Sequence, residues 1–366
     1  MTHQPLAVGS TEAKLERLHA QLADAVATLV TSDDWVQALE FAARFRSRSF
    51  NNTMLIWMQH LAAFEQGRVA GPTPTYVAGF RQWLELGGSV DRGQTGYMIF
   101  APILARFASP TPQVAESWRR LAPREIPSRN DVVRTRLVGV RPAYVWDASQ
   151  TSGVPIPHVP APQLLAGEAP QGLWDGLASL VWEHGYTLRV VGSDRDLGGA
   201  NGMTDYLTRS VAIRGDIDPA ARTKTLAHEL AHVMLHGPDN ADAALHRGIG
   251  EVEAESVALM IGAAHGLDTS GYTIPYVATW ATSVEGRTPV EVVQATGERV
   301  RTAAVAILKG LPTMQVGAGD PPGPTREAQR GALQSTVAAP VERFDDVRFS
   351  RVRHSVAPFA ISARDL

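Results

Sequence analysis

The strongest constraint in this 366-residue chain is the run His228-Glu229-Leu230-Ala231-His232. On a helix, residues four apart project from one face about a turn apart, close enough for two imidazoles to grip one cation. The glutamate between them then reaches a water on that cation from the side. The surroundings favour a long buried helix. Leu226, Leu230, Val233 and Met234 supply apolar positions at helical spacing, Asp218-Pro219 provides a start, and Gly237-Pro238 a stop. The alternative is a pair of packed core histidines, which is costly on a buried helix without a metal.

Two histidines, a third protein ligand from elsewhere and an open position for water make up the zincin-type layout of a hydrolytic zinc site. The segment Gly250 to Ile261 reads as an acidic helix start running into an apolar stretch. Glu251 and Glu255 share a face there, while Glu253 lies about 200° round the helical wheel. Glu251 is the expected ligand. Glu255, one turn on, is placed to accept a hydrogen bond from a ligand imidazole and fix its tautomer. Glu253 and Glu255 stay open as alternatives, because acidic residues favour a helix N-terminus in any case. His236 does not fit a longer three-histidine motif and is the weaker candidate, and His246 sits in the connecting loop. Glu229 is the expected general base, taking a proton from water and handing it to the leaving amine. Tyr272 and Tyr276 follow the third-ligand segment and are either oxyanion donors or packing aromatics. Ligand type favours Zn2+ over manganese or cobalt.

Charge is unevenly spread. Residues 40–145 carry 14 arginines and 7 acids, whereas residues 151–311 carry 11 basic and 18 acidic residues. A basic first half suits a polyanion, where phosphate neutralisation supplies affinity independent of sequence; ordinary surface variation is the alternative. The chain has no cysteine, which excludes disulfides and Cys-ligated zinc. Its start, Met1-Thr2-His3-Gln4, is polar, and no apolar run reaches the roughly 18 residues of a membrane span. A cytoplasmic protein without membrane contact is expected.

Periodicity predicts helices over 11–31, 35–47 and 54–60, with Phe50-Asn51-Asn52-Thr53 breaking the chain and Asn52 or Thr53 capping the third. Strands are expected at 89–90, 96–101 and 136–146, with 109–133 as an excursion loop. Five prolines between Pro155 and Pro170 mark a linker. Helices at 173–184 and 290–308, and strands at 187–191, 206–207 and 210–213, complete the second half. The fold class expected is α+β in two domains: 12–152, a Pro-rich linker 153–172, a metal-binding domain 173–311, and a low-complexity or extended tail 312–366.

The first half carries an ordered set of landmarks: Ser49-Phe50-Asn51-Asn52-Thr53-Met54-Leu55-Ile56-Trp57, then Tyr76-Val77-Ala78-Gly79-Phe80-Arg81-Gln82-Trp83, then Gly93-Gln94-Thr95-Gly96-Tyr97-Met98-Ile99, then Val145-Trp146-Asp147-Ala148-Ser149-Gln150-Thr151. This set resembles the N-terminal single-stranded-DNA-binding domain of the ArdC antirestriction family. That family's usual lysine in the strand-connecting turn is absent, its place taken by Arg92 and Gln94-Thr95. The second half resembles the metallopeptidase domain of ArdC and of the ImmA/IrrE group. Glu251-x-x-Ala254-Glu255 is similar to that group's third-ligand helix. The resemblance implies a zincin-like metallopeptidase with a glutamate third ligand, Glu251, over about residues 173–283.

Single strands are held by a positive groove and aromatic platforms. Arg46, Arg48, Arg81 and Arg92 are the expected DNA contacts, since only Glu85 and Asp91 lie near them in sequence. Trp57 and Phe80 sit in apolar context and read more readily as core. Asn51 and Asn52 read equally as turn formers or ligand contacts. Three functions compete: a DNA-tethered zinc peptidase acting on a protein substrate, a non-catalytic protein that coats single-stranded DNA and holds a structural metal, and an ImmA-like regulatory protease.

Overall fold

Three helices open the chain: α1 (Thr11–Ala27), α2 (Ser32–Arg44) and α3 (Phe50–Glu65). The structure, a computed structural model, describes residues 10–29, 31–153, 169–238 and 249–321, apart from 270, 271, 273, 275, 276, 283 and 285. Most of the proline linker, His246, Tyr276 and the tail beyond 321 lie outside these residues. The α2 start is fixed by a reciprocal cap, in which Thr31 accepts from the Asp34 amide and Asp34 accepts from the Thr31 amide. α3 starts at Phe50, earlier than periodicity predicts. Ser49 caps it by accepting from the Asn52 amide at 3.3 Å, so the two asparagines begin the helix instead of breaking it.

Their use is specific. Asn52 donates to the Phe100 carbonyl and accepts from the Phe100 amide, both at 2.9 Å. Gln59 does the same to Met98, at 2.9 and 2.8 Å. Two side-chain amides on one helix thus dock it against a strand, satisfying backbone groups that would otherwise be buried unpaired.

After α3 come β1 (Val77–Gly79), α4 (Phe80–Glu85), β2 (Ser89–Val90), β3 (Tyr97–Ser109), β4 (Arg119–Arg120), β5 (Val132–Asp147) and β6 (Thr151–Ser152). One antiparallel sheet has the order β1-β5-β3-β4, and β2 pairs with β6. β3 and β5 are much longer than expected. They form a two-stranded arm, and β4 from the excursion loop adds a third strand at its tip. A bulge on β5 shifts register between Ile103↔Gly139 and Leu104↔Leu137, leaving Val138 unpaired.

The second sequence segment contributes α5 (Leu173–Glu183), β7 (Thr187–Val191), β8 (Gly202–Asp205), β9 (Ser210–Arg214), α6 (Pro219–Leu235), α7 (Gly250–Ala264), α8 (Val277–Ala281) and α9 (Pro289–Gly310). β7 and β9 are parallel, with β8 antiparallel on the outer side of β9. The strand expected at Tyr206-Leu207 is instead the turn between β8 and β9. Asp205 shapes it by accepting from the Leu207 and Thr208 amides.

One apolar core runs through both sequence segments, from Leu18 and Trp35 to Leu259 and Ile307. The Trp35 indole donates to Ser256 on α7 at 3.0 Å. A Cβ on Gly297 would stand 2.5 Å from the Phe50 ring, so glycine there lets α9 approach α3 closely. Residues 317–320 return to the first helices, with Arg48 reaching Asp320 at 2.9 Å. The mixed α+β class is as expected; the division at the prolines coexists with this shared core.

Candidate metal centre

α6 begins where Asp218 accepts from the Ala221 amide at 2.9 Å and Pro219 occupies the first turn. Residues 228, 229 and 232 fall on its middle. α7 packs against α6 and brings Glu251, in its first turn, to the same place. His228 Nε2 and His232 Nε2 are 3.1 Å apart, and Glu251 lies 3.3 Å from each. Tetrahedral coordination with metal–ligand bonds of about 2.0–2.2 Å puts neighbouring donors about 3.4 Å apart. The donor spacings fit a single small cation. Like-charged or lone-pair nitrogens held this close otherwise need protons between them and the carboxylate.

Burial opposes the charged form of His228, but bonds to Glu251 and Glu255 outweigh it and push its pKa up to about 9. Hydrogen bonds from His228 and His232 hold the Glu251 carboxyl far below the usual range. The carboxylates of Glu251 and Glu255 thus favour positive charge, a proton or a cation, at His228.

Each ligand-candidate imidazole is held from behind. His228 Nδ1 stands 3.1 Å from Glu255, which also takes an ion pair from Lys224 at 2.7 Å. His232 Nδ1 stands 2.9 Å from His236 Nδ1, and His236 Nε2 is 2.9 Å from Glu253. Glu253 is fully buried at 0% exposure and is gripped through two nitrogens by Arg299 on α9, at 2.9 and 3.2 Å. One imidazole therefore leans on a Glu–Lys pair, and the other on a His–Glu–Arg chain. Glu253 faces away from Glu251, as the helical wheel indicates. The Arg299 link joins residues 46 apart, and no local pattern in the sequence announces it.

Glu229 is only 6% exposed and lines the cleft with the triad. Its carboxylate accepts from Thr204 Oγ1 at 2.6 Å. The cleft measures about 930 Å³ and is walled on one side by β8, through Gly202, Met203 and Thr204. A Cβ on Gly202 would come within 2.7 Å of Glu229 Oε1, so glycine keeps the carboxylate's space open. Tyr206, in the following turn, also lines the cleft. Its hydroxyl donates to the His232 carbonyl at 3.3 Å, and burial, Tyr186 and the nearby carboxylates push its pKa up to about 12. Tyr272 points elsewhere: its hydroxyl donates to the Ala258 carbonyl, and its ring lies 3.9 Å from Lys224 Nζ.

The expected DNA contacts are scattered. Arg46 donates to the carbonyls of Ala43 and Gly317, and Arg48 to Val77 and Asp320, so both are tied into the fold. Arg81 and Arg92 are exposed. Phe80, which reads as core, is instead 47% exposed and stacks edge-on to Trp146.

The class that emerges is an α+β protein with a His–Glu–His cleft on a helix pair and a separate basic arm. Comparison adds a family likeness. Residues 14–137 match the family model described as the N-terminal domain of anti-restriction factor ArdC, and this part of the chain is ArdC-like. The match ends before the helices of the cleft. Among curated proteins, the chain is 22% identical over 292 residues to the uncharacterized protein pXO2-81 of Bacillus anthracis, covering 74% of this chain and 48% of that one. The chain thus spans about half the length of that relative. Two crystal structures of the antirestriction ArdC protein from plasmid R388 also align with it. The metal-free form gives a TM-score of 0.42 at 19% identity, covering 72% of this chain and 84% of that one. The Mn(II)-bound form gives 0.39 at 18% identity, covering 72% and 88%. Among the described residues, no helix is long and apolar enough to cross a membrane.

Proposed function

We propose that this protein joins single-stranded-DNA binding to zinc-dependent peptide hydrolysis, in an antirestriction or mobile-element setting. The observation that carries the reading is the convergence of His228, His232 and Glu251, with ligand atoms within 4.8 Å of one another, beside the buried Glu229. The ArdC likeness of residues 14–137 supports the DNA and antirestriction part.

In this reading His228, His232 and Glu251 hold the metal, which supplies a Lewis acid and lowers the pKa of water. Two imidazoles and a carboxylate are a donor set that suits zinc and also manganese. Glu229 takes the proton from water and delivers it to the leaving amine. Thr204 holds that carboxylate at the cleft wall. Tyr206, kept protonated, would donate to developing negative charge only by turning its hydroxyl away from the His232 carbonyl. Glu255, and His236 with Glu253, fix the ligand imidazoles by binding their second nitrogens.

The test pairs metal analysis with proteolysis of candidate partners, with and without zinc, for wild type and Glu229→Gln. Zinc-dependent cleavage lost in Glu229→Gln is the expected result; equal cleavage by the variant ends the enzyme reading. A second reading, in which the protein only coats and protects DNA and the metal is structural, is favoured by one contact. Thr204 Oγ1 already donates to the Glu229 carboxylate at 2.6 Å, so one of its oxygens is engaged before any water arrives. Under that reading Glu229→Gln keeps full DNA-protecting activity.

A further inference from the structure

We propose that the tip of the β3–β4–β5 arm is the surface that grips the single strand. The proposal rests on the DNA-binding reading above and gives it a place that the expected contacts do not.

Register defines the surface. Phe107 on β3 lies opposite Arg120 on β4 and opposite Arg134 on β5, and Ala105 lies opposite Arg136. Arg120, Phe107 and Arg134 therefore form one row on one face of the sheet, with neighbours about 5 Å apart. Arg136 follows two residues along, about 7 Å from Arg134. Trp118, two residues before Arg120, completes the patch. The Arg134 and Arg136 guanidiniums lie 4.8 and 5.0 Å from the Trp118 ring centre, and Arg136 lies 5.4 Å from Phe107.

The β5 bulge makes this face. It shifts the pairing by one residue, so Arg134 and Arg136 share a side with Phe107 and Ala105; continuous pairing would put them on the opposite side.

Charge on the arm points to a polyanion. Between Ala101 and Pro142 the chain has eight arginines against the three acids Glu116, Glu125 and Asp131. Arg119 pairs with both Glu125 and Asp131, and its register partner is Ala108, on the opposite face from Phe107. Among the described residues, no carboxylate pairs with Arg120, Arg134 or Arg136. A row of like charges across a sheet is unfavourable by itself and becomes favourable against phosphates. Interleaved aromatics select for bases free to leave their stack, which a duplex does not offer. Arg46 and Arg48, by contrast, are each drawn to carbonyls of the fold, and Arg48 to Asp320 as well.

The experiment is fluorescence anisotropy of the full chain with labelled oligothymidylate, and with its duplex, at several salt concentrations. The double variant Arg134→Gln with Arg136→Gln is expected to weaken binding. It should also lower the slope of log affinity against log salt by about 1.4, since each phosphate contact on a single strand contributes about 0.7. Trp118→Ala is expected to weaken binding by about fivefold to 150-fold with the slope unchanged, and Trp118→Tyr to restore most of it. Arg81→Gln and Arg92→Gln are comparison variants expected to cost less. If wild type binds and the double variant matches it in affinity and slope, the arm is not the interface while the DNA reading stands. Equal affinity for the duplex overturns the single-strand assignment. If wild type shows no salt-sensitive binding, the underlying DNA reading falls, and this proposal with it.

Discussion

The cleft and the arm handle charge in opposite ways. Behind the cleft, the buried carboxylates have charged or imidazole partners inside the protein: Glu255 has Lys224 and His228, and Glu253 has Arg299 and His236. On the arm, Arg134 and Arg136 lie exposed over aromatic rings and Arg120 is exposed beside them, and among the described residues no carboxylate pairs with any of the three. Buried pairs fix geometry and resist screening, whereas exposed like charges respond to salt over about 10 Å. The cleft is thus already shaped for a small ion. The arm gains its favourable partner only when an extended anion arrives.

This contrast breaks most sharply at Glu229. Glu229→Gln should reduce metal-dependent hydrolysis by about 10²–10⁴-fold, the usual worth of a positioned proton carrier. Oligonucleotide affinity should not change. Parallel kinetics and anisotropy on one preparation check this, and loss of both together would show that the two regions act as one.

The next effect is on stability. Arg299→Met leaves Glu253 without its bidentate partner in a fully buried position. Breaking such a pair costs about 3–5 kcal/mol, and the partial exposure of Arg299 puts this case near 3. Urea denaturation of the metal-free protein measures it. Metal affinity should fall as well, by about 10–100-fold, because His236 loses the carboxylate that orients it. A variant as stable as wild type would mean that the Glu253 charge is neutralised elsewhere.

What the sequence shows and hides follows the range of each interaction. That His228 and His232 share a face needs only a helix, so spacing of four makes it legible. The wheel likewise sets Glu253 apart from Glu251 and Glu255. It is silent on what Glu253 meets, because Arg299 arrives from another helix. Asn52 and Gln59 read as ordinary polar residues until β3 is present to receive their amides. The arm was hidden for two reasons. Its proline- and arginine-rich connection reads as a loop, and the face its arginines occupy depends on one unpaired residue, Val138. Phe80 misleads in the other direction, since apolar neighbours in sequence say nothing about the exposed side of a short helix.

A smaller effect is expected at Gly202. A methyl group there meets Glu229 Oε1 at 2.7 Å and Thr225 Cγ2 at 2.6 Å. The Glu229 side chain is buried and held by Thr204, so it yields poorly. Gly202→Ala should cost about 1–3 kcal/mol by overpacking and should lower turnover by displacing the carboxylate. Thermal unfolding and kinetics of the same variant separate the two effects. Unchanged kinetics would show that Glu229 has a second productive position.

The smallest change in stability belongs to the arm, and it sharpens the comparison most. Arg134 and Arg136 contribute cation–π contacts to Trp118 at an exposed site, each worth about 0.5–1 kcal/mol. Removing both charges also relieves repulsion within the row, which offsets part of that loss. The double glutamine variant should therefore unfold within about 1 kcal/mol of wild type, while Arg299→Met loses about three times as much. Urea denaturation at low and high salt reads this directly. The deficit of the arm variant should grow modestly as salt rises, because screening removes the repulsion whose relief offsets the lost contacts. A large, salt-independent loss would mean that these arginines hold the tip of the sheet together and do not wait for a ligand.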